Sequence, residues 1–119
     1  MVVLIVGASG GIWQALAENY ASAGHNVIGT FFNTTPKGLS EKIELTPMDP
    51  TNETSVQNTL SKIYSLDLVI NCVGFLSSDG GLPEKTIRKF EPHGLEESIR
   101  VNTLPTLLVA KHAQRLLRQ

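Results

Sequence analysis

Short apolar runs alternate with stretches of helical spacing along this chain, and that alternation predicts its fold class. Val2-Val3-Leu4-Ile5-Val6 is an unbroken run rich in β-branched residues, the pattern of a strand buried on both faces. A tight turn, Gly7-Ala8-Ser9-Gly10-Gly11, follows it. The next segment predicts a helix from about Ile12 to Ala23, with Ala15, Leu16 and Tyr20 at helical spacing and Gly24 just past its end. A second strand is predicted over Asn26–Phe31. An exposed loop is predicted over Asn33–Ser40, which contains Pro36 and Gly38. Ile43–Met48 predicts a short third strand that ends at Asp49-Pro50.

Thr51 or Asn52 can cap a helix running to about Tyr64, in which Val56, Leu60 and Ile63 form one apolar stripe. Asp67–Val73 predicts a fourth strand, apolar over most of its length. Gly74–Pro92 is rich in turn residues and has no clear period. From Leu95 the spacing predicts a long helix to the end, kinked where Pro105 removes an amide donor. There is no repeat, low-complexity tract or linker.

Strands alternating with helices at this spacing imply a parallel sheet with right-handed crossovers. The expected architecture is α/β: one domain over residues 1–119, a Rossmann-like doubly wound sheet cut to about four strands in the order 3-2-1-4. This leaves the fourth strand on an edge, although its composition is that of a central strand.

Composition changes the picture little. Hydrophobic residues make up 41% and charged residues 18% of the 119, a globular balance, and the net charge of −1 gives no electrostatic case for nucleic acid or an anionic membrane. Cys72 is the only cysteine, so an internal disulfide is excluded and a reducing, cytoplasmic location is expected. No apolar run approaches the ~20 residues of a membrane helix, and no targeting segment is expected before the first strand. His25, His93 and His112 lack metal-ligand spacing and are expected at the surface, with no metal bound. Lys111, Arg115 and Arg118 suit a helix C-terminus without a partner.

The candidate chemistry lies in Gly7-Ala8-Ser9-Gly10-Gly11-Ile12, between a buried strand and a helix start. In that context glycines let the backbone turn sharply against a pyrophosphate, and the helix N-terminus offers free amides. A tight turn that binds nothing is the other reading of the same residues. The segment resembles the fingerprint of the short-chain dehydrogenase/reductase family, Gly-x-x-x-Gly-x-Gly, with Gly7 and Gly11 in the first two glycine positions. Asp49 stands where that family has an acidic residue contacting adenine. Asn71-Cys72-Val73-Gly74 is similar to its Asn-Asn-Ala-Gly motif, and Val101-Asn102 to its Val-Asn pair. The resemblance spans nearly the whole chain. It implies an NAD(P)-binding portion of an oxidoreductase, with Gly7, Ser9, Gly10, Gly11, Ile12, Thr30, Asn33, Asp49, Asn71, Val73 and Gly74 at the cofactor and Asn102 matching the relay asparagine.

Departures from the family pattern qualify that implication. Trp13 occupies the third glycine position, where the indole either points outward, crowds the pyrophosphate or simply packs. Pro50 removes a backbone N–H that in the family helps to hold adenine, although the Asp49 carboxylate can still accept from the base; Asp49 is equally readable as a turn residue. The family's tyrosine with a lysine four residues on is missing, because Tyr20 and Tyr64 are followed at that spacing by Gly24 and Leu68. The catalytic serine belongs on a fifth strand that the family places beyond residue 119. The chain is therefore expected to be inactive alone. The alternatives are a non-catalytic dinucleotide-binding or sensing module, and a truncated oligomerising product without small-molecule function.

No acidic residue stands near the end of the second strand, where Thr30, Asn33 or Lys37 can accommodate a 2′-phosphate, so NADP is preferred over NAD. Asn71 can instead tie neighbouring strands, Asn102 has a structural reading, and Cys72 is expected to be a small buried hydrophobe. A homo-oligomer is expected through the bare fourth-strand edge, the last helix, or both. That helix carries Val101, Leu104, Leu107, Leu108, Leu116 and Leu117 on more than one face.

Overall fold

The computed structural model describes residues 1–7, 11–74 and 87–117. Strands β1 (Val2–Val6), β2 (Asn26–Phe31), β3 (Ile43–Pro47) and β4 (Leu68–Asn71) form one parallel sheet in the order β3-β2-β1-β4. The expected fold class and strand order are therefore what the chain adopts. Helix α1 (Gly11–Ser22) connects β1 to β2, and α2 (Glu53–Ser61) connects β3 to β4. A single 3₁₀ turn (Ile87–Lys89), α3 (Pro92–Asn102) and α4 (Leu104–Leu117) complete the described chain.

β1 is the centre of the sheet because its alternating side chains feed two cores. Leu4 and Val6 point into a cluster with Met48, Val56 and Leu60, closed by Val109, Ala113 and Leu116 of α4. Val3 and Ile5 point the other way, into a cluster with Trp13, Ala17 and Ala21 of α1 and with Val27 and Ile43. Each strand side chain shielded on both faces removes apolar surface worth roughly 1.5–3 kcal/mol from water.

Helix α1 buries Trp13, Ala17 and Ala21, a stripe four residues apart, rather than the expected one through Ala15, which is exposed. Leu16 and Tyr20 flank the stripe and are half-buried. The small residues let the helix lie close to the sheet, and the large indole defines which side faces inward. The helix ends as expected at Gly24, whose φ of 90° lets its N–H reach the Ala21 carbonyl (3.0 Å) while His25 N–H reaches Tyr20 (3.1 Å).

Asn52, rather than Thr51, caps α2: its side chain accepts from Ser55 N–H at 3.0 Å. The helix stops at Ser61, short of Tyr64, and Arg115 Nη2 donates to the Leu60 carbonyl at 3.0 Å. Arg115 thus ties α4 to α2, as does Lys111, whose Nζ donates to Glu53 Oε2 at 2.8 Å. Arg118 lies outside the described residues.

The single helix expected after Leu95 is two. Pro92 starts α3 earlier, since a proline N1 residue sacrifices no needed donor. The helix then breaks at Thr103 (φ −108°, ψ −45°), because Pro105 has no N–H for the Val101 carbonyl and its ring crowds that turn. β4 is shorter than predicted, and every one of its residues is only half-buried, whereas β1 is buried from Val3 onward. Among the described residues β4 pairs only with β1. Among the described helices, none is long and apolar enough to cross a membrane.

Candidate functional site

The C-terminal ends of all strands converge on one cavity of about 410 Å³. Gly7 reaches it from β1; Thr30, Phe31, Phe32, Asn33 and Thr34 from the end of β2; Met48, Asp49, Pro50 and Thr51 from beyond β3; Val73 and Gly74 from beyond β4. Arg100 and Val101 of α3 close the remaining side. A parallel sheet presents its carboxyl ends as such a crevice, so loops distant in sequence meet there.

Gly7 is glycine for a stereochemical reason. Its φ is 95°, and a Cβ there would lie 2.6 Å from the Val73 side chain and 2.9 Å from the Val73 nitrogen. Its N–H donates to the Thr30 carbonyl (3.2 Å) and lies 3.4 Å from Thr30 Oγ1, which fixes the β1 turn against the end of β2. Thr30 is itself buried. Gly11 begins α1, and among the described residues no atom from outside its own helix comes within 4 Å of where a Cβ would stand. Ile12 beside it is 76% exposed. Gly11 and Ile12 are not among the residues that line the cavity, and Ser9 and Gly10 lie outside the described residues.

Trp13 neither points outward nor enters the cavity. It is 2% exposed, sits over Gly29 of β2, and donates from Nε1 to the Ile5 carbonyl at 3.2 Å. A methyl on Gly29 would overlap the indole. The bulk at the third fingerprint position is thus taken up below α1, where β2 lacks a side chain.

Asp49 and Pro50 open a turn closed by Asn52 N–H to the Asp49 carbonyl at 3.2 Å. Asp49 Oδ1 accepts from Thr51 N–H (3.0 Å) and Thr51 Oγ1 (2.7 Å), while Asp49 N–H donates to Ser55 Oγ (2.9 Å). Pro50 is buried as the turn residue that its lack of an N–H permits. Asp49 therefore shapes the turn and lines the cavity at once.

Asn71 donates from Nδ2 to Thr106 Oγ1 (2.6 Å) and accepts at Oδ1 from Val73 N–H (3.0 Å), so it joins the end of β4 to α4. Asn102 donates to Ser98 Oγ at 3.2 Å, and its Oδ1 lies 3.4 Å from where a Gly74 Cβ would stand. Neither asparagine lines the cavity. Cys72 is half-buried against the α1-side core, where burial raises its thiol pKa and keeps it protonated at neutral pH.

Arg100 is a charged cavity residue that the sequence did not single out. Its guanidinium grips Glu97 as a fork, Nε to Oε1 at 3.0 Å and Nη2 to Oε2 at 3.1 Å. The pair lowers the Glu97 pKa and raises that of Arg100, with the Asp49 charge adding to the latter. Its position just before Val101-Asn102 was the only available signal. His112 was expected at the surface, yet its side chain is only 18% exposed and Nε2 lies 3.0 Å from Glu53 Oε2. Among the described residues no group of His, Cys, Asp or Glu could hold a metal ion.

The residues present fit a dinucleotide. The cavity has room for an adenosine portion, and the Gly7 turn excludes a side chain where the backbone is closest. Comparison with known proteins agrees with this fold. The family profile described as short chain dehydrogenase matches residues 1–119. No curated protein matches the sequence significantly. Aldohexose dehydrogenase of Thermoplasma acidophilum superposes with a TM-score of 0.78 at 24% identity, covering 98% of this chain and 44% of its own. Serine dehydrogenase of Escherichia coli gives 0.80 at 18% identity, covering 97% and 55%. A short-chain dehydrogenase/reductase of Serratia marcescens gives 0.76 at 20%, covering 98% and 51%. The chain thus spans about half the length of these structures, and at such identities the likeness is one of fold.

Proposed function

The chain belongs to the short-chain dehydrogenase family, and on that premise we propose that residues 1–119 form one NAD(P)-binding domain that binds NADP in preference to NAD and performs no turnover by itself. The observation that carries this reading is the cavity at the strand ends, which gathers Gly7, Thr30, Asn33, Asp49, Val73 and Gly74 from separate parts of the chain. Gly7, Ser9, Gly10, Gly11 and Ile12 take the pyrophosphate at the start of α1. Asp49 accepts from the adenine amino group. Thr30 and Asn33, with no carboxylate beside them, leave room for a 2′-phosphate. Val73 and Gly74, steadied by Asn71, border the far ribose, and Asn102 supports the loop at Gly74.

A bound dinucleotide supplies hydride-transfer chemistry, and the role of this chain is to hold and orient it. The absence of any tyrosine with a lysine four residues on supports a lack of turnover, since no general acid of the family type is present. A missing catalytic portion would come from a longer polypeptide or a second chain. The half-buried β4 edge supports self-association of a cytoplasmic protein.

Titration with NADPH and NADH, followed by nicotinamide fluorescence and by energy transfer from buried Trp13, tests the assignment. Saturable binding, tighter for NADPH and without oxidation of the cofactor when carbonyl substrates are added, is expected. Absence of binding up to millimolar cofactor would reject it in favour of a fold retained without its ligand.

A further inference from the structure

We propose that Arg100 is a recognition residue for the adenine ring, its guanidinium stacking flat on the base. The inference rests on the dinucleotide-binding reading above and deepens it at the adenosine end. Arg100 lines the same cavity as Asp49, Pro50 and Gly74, and the Asp49 charge acts on it. It is the one cation on the described cavity wall.

A cation in a nucleotide cavity suggests a phosphate ligand, but the hydrogen bonding argues otherwise. The Nε–Nη2 edge, which would take a phosphate side-on, is already filled by both oxygens of Glu97. Glu97 also neutralises the charge locally. The fork leaves the Nη1 end and a planar face held at fixed orientation, and with the charge already paired the face is the part suited to a neutral ring. The Arg100 side chain is 49% exposed, and Glu97, at 26%, fixes its plane from the Nε–Nη2 edge. Guanidinium planes stack well on aromatic rings, and a pre-oriented fork loses less side-chain entropy in doing so. Glu97 is then a positioning residue.

The test uses calorimetry on the 119-residue chain with AMP, adenosine 2′,5′-bisphosphate and nicotinamide mononucleotide as probes. Arg100→Ala is expected to weaken AMP and the bisphosphate by the same factor, about 3- to 30-fold, and to leave the mononucleotide unchanged. Glu97→Gln is expected to weaken AMP by a smaller factor, because Arg100 remains but is held less firmly. Unchanged helical circular dichroism in both variants would show that α3 is intact. Undiminished AMP affinity in Arg100→Ala, or a loss confined to the bisphosphate, overturns the stacking role. A wild-type chain that binds NADPH while Arg100→Ala keeps its AMP affinity overturns this inference alone. A wild-type chain that binds none of the nucleotides overturns the functional reading as well.

Discussion

At the scale of single residues, Trp13 and Gly29 are two halves of one packing solution. The indole fills the space that a side chain on β2 would need, and its N–H satisfies itself on the Ile5 carbonyl. Gly29→Ala should therefore cost about 1–3 kcal/mol by overpacking. Trp13→Phe combined with Gly29→Ala should cost less than the sum of the single changes by roughly 0.5–3 kcal/mol, as measured by urea denaturation. Additive costs would show that the two do not share that space. Gly7 answers to a different constraint, a φ of 95° and contact with Val73. Gly7→Ala should lower the melting temperature and weaken NADPH binding about tenfold, ~1.4 kcal/mol, through displacement of the turn.

At the scale of elements, α2 and α4 are held together partly by charge. Glu53 at the start of α2 receives Lys111 and His112 of α4, and these hydrogen bonds, that of Lys111 first, hold its carboxyl below the usual value of 4.5. A folded-state pKa below the unfolded one adds stability above the unfolded value, and that stability is lost as pH falls through the folded value. Glu53→Gln should accordingly melt slightly below wild type above about pH 5, and the two curves should converge in acid. The site is exposed, so added salt should narrow the difference too. A gap that persists unchanged at pH 3 would exclude the ion-pair origin.

At the scale of the whole molecule, the unresolved tension is β4. Its residues are half-buried although its composition suits the middle of a sheet, and the apolar side chains Leu68, Ile70 and Cys72 only partly meet the α1-side core. Leu107, Leu117 and Ile99 add exposed apolar surface on α3 and α4. Light scattering at micromolar concentration should find a dimer or larger species. Leu107→Lys, which places a charge on the exposed apolar surface of α4, should shift it toward monomer while the helical circular dichroism is retained. A wild-type monomer would refute self-association.

Local order was legible in the chain itself. The apolar run Val2–Val6, the glycine at position 24 and the alternation of strand and helix dictated the sheet and its order, because burial on both faces and the short crossovers leave few other topologies. Gly7 and Asp49 stood out as turn residues for the same reason, since their backbone demands are local, and both line the cavity. Tertiary structure alone decided three things. It turned Trp13 inward, because the vacancy over Gly29 lies on another strand. It made Asn71 a tie to α4, because Thr106 lies far along the chain. It brought Arg100 into the cavity, because the break at Thr103 lets α3 lie across the strand ends independently of α4. Each depends on side chains that are distant in sequence, and periodicity along one segment carries no record of what another segment leaves empty.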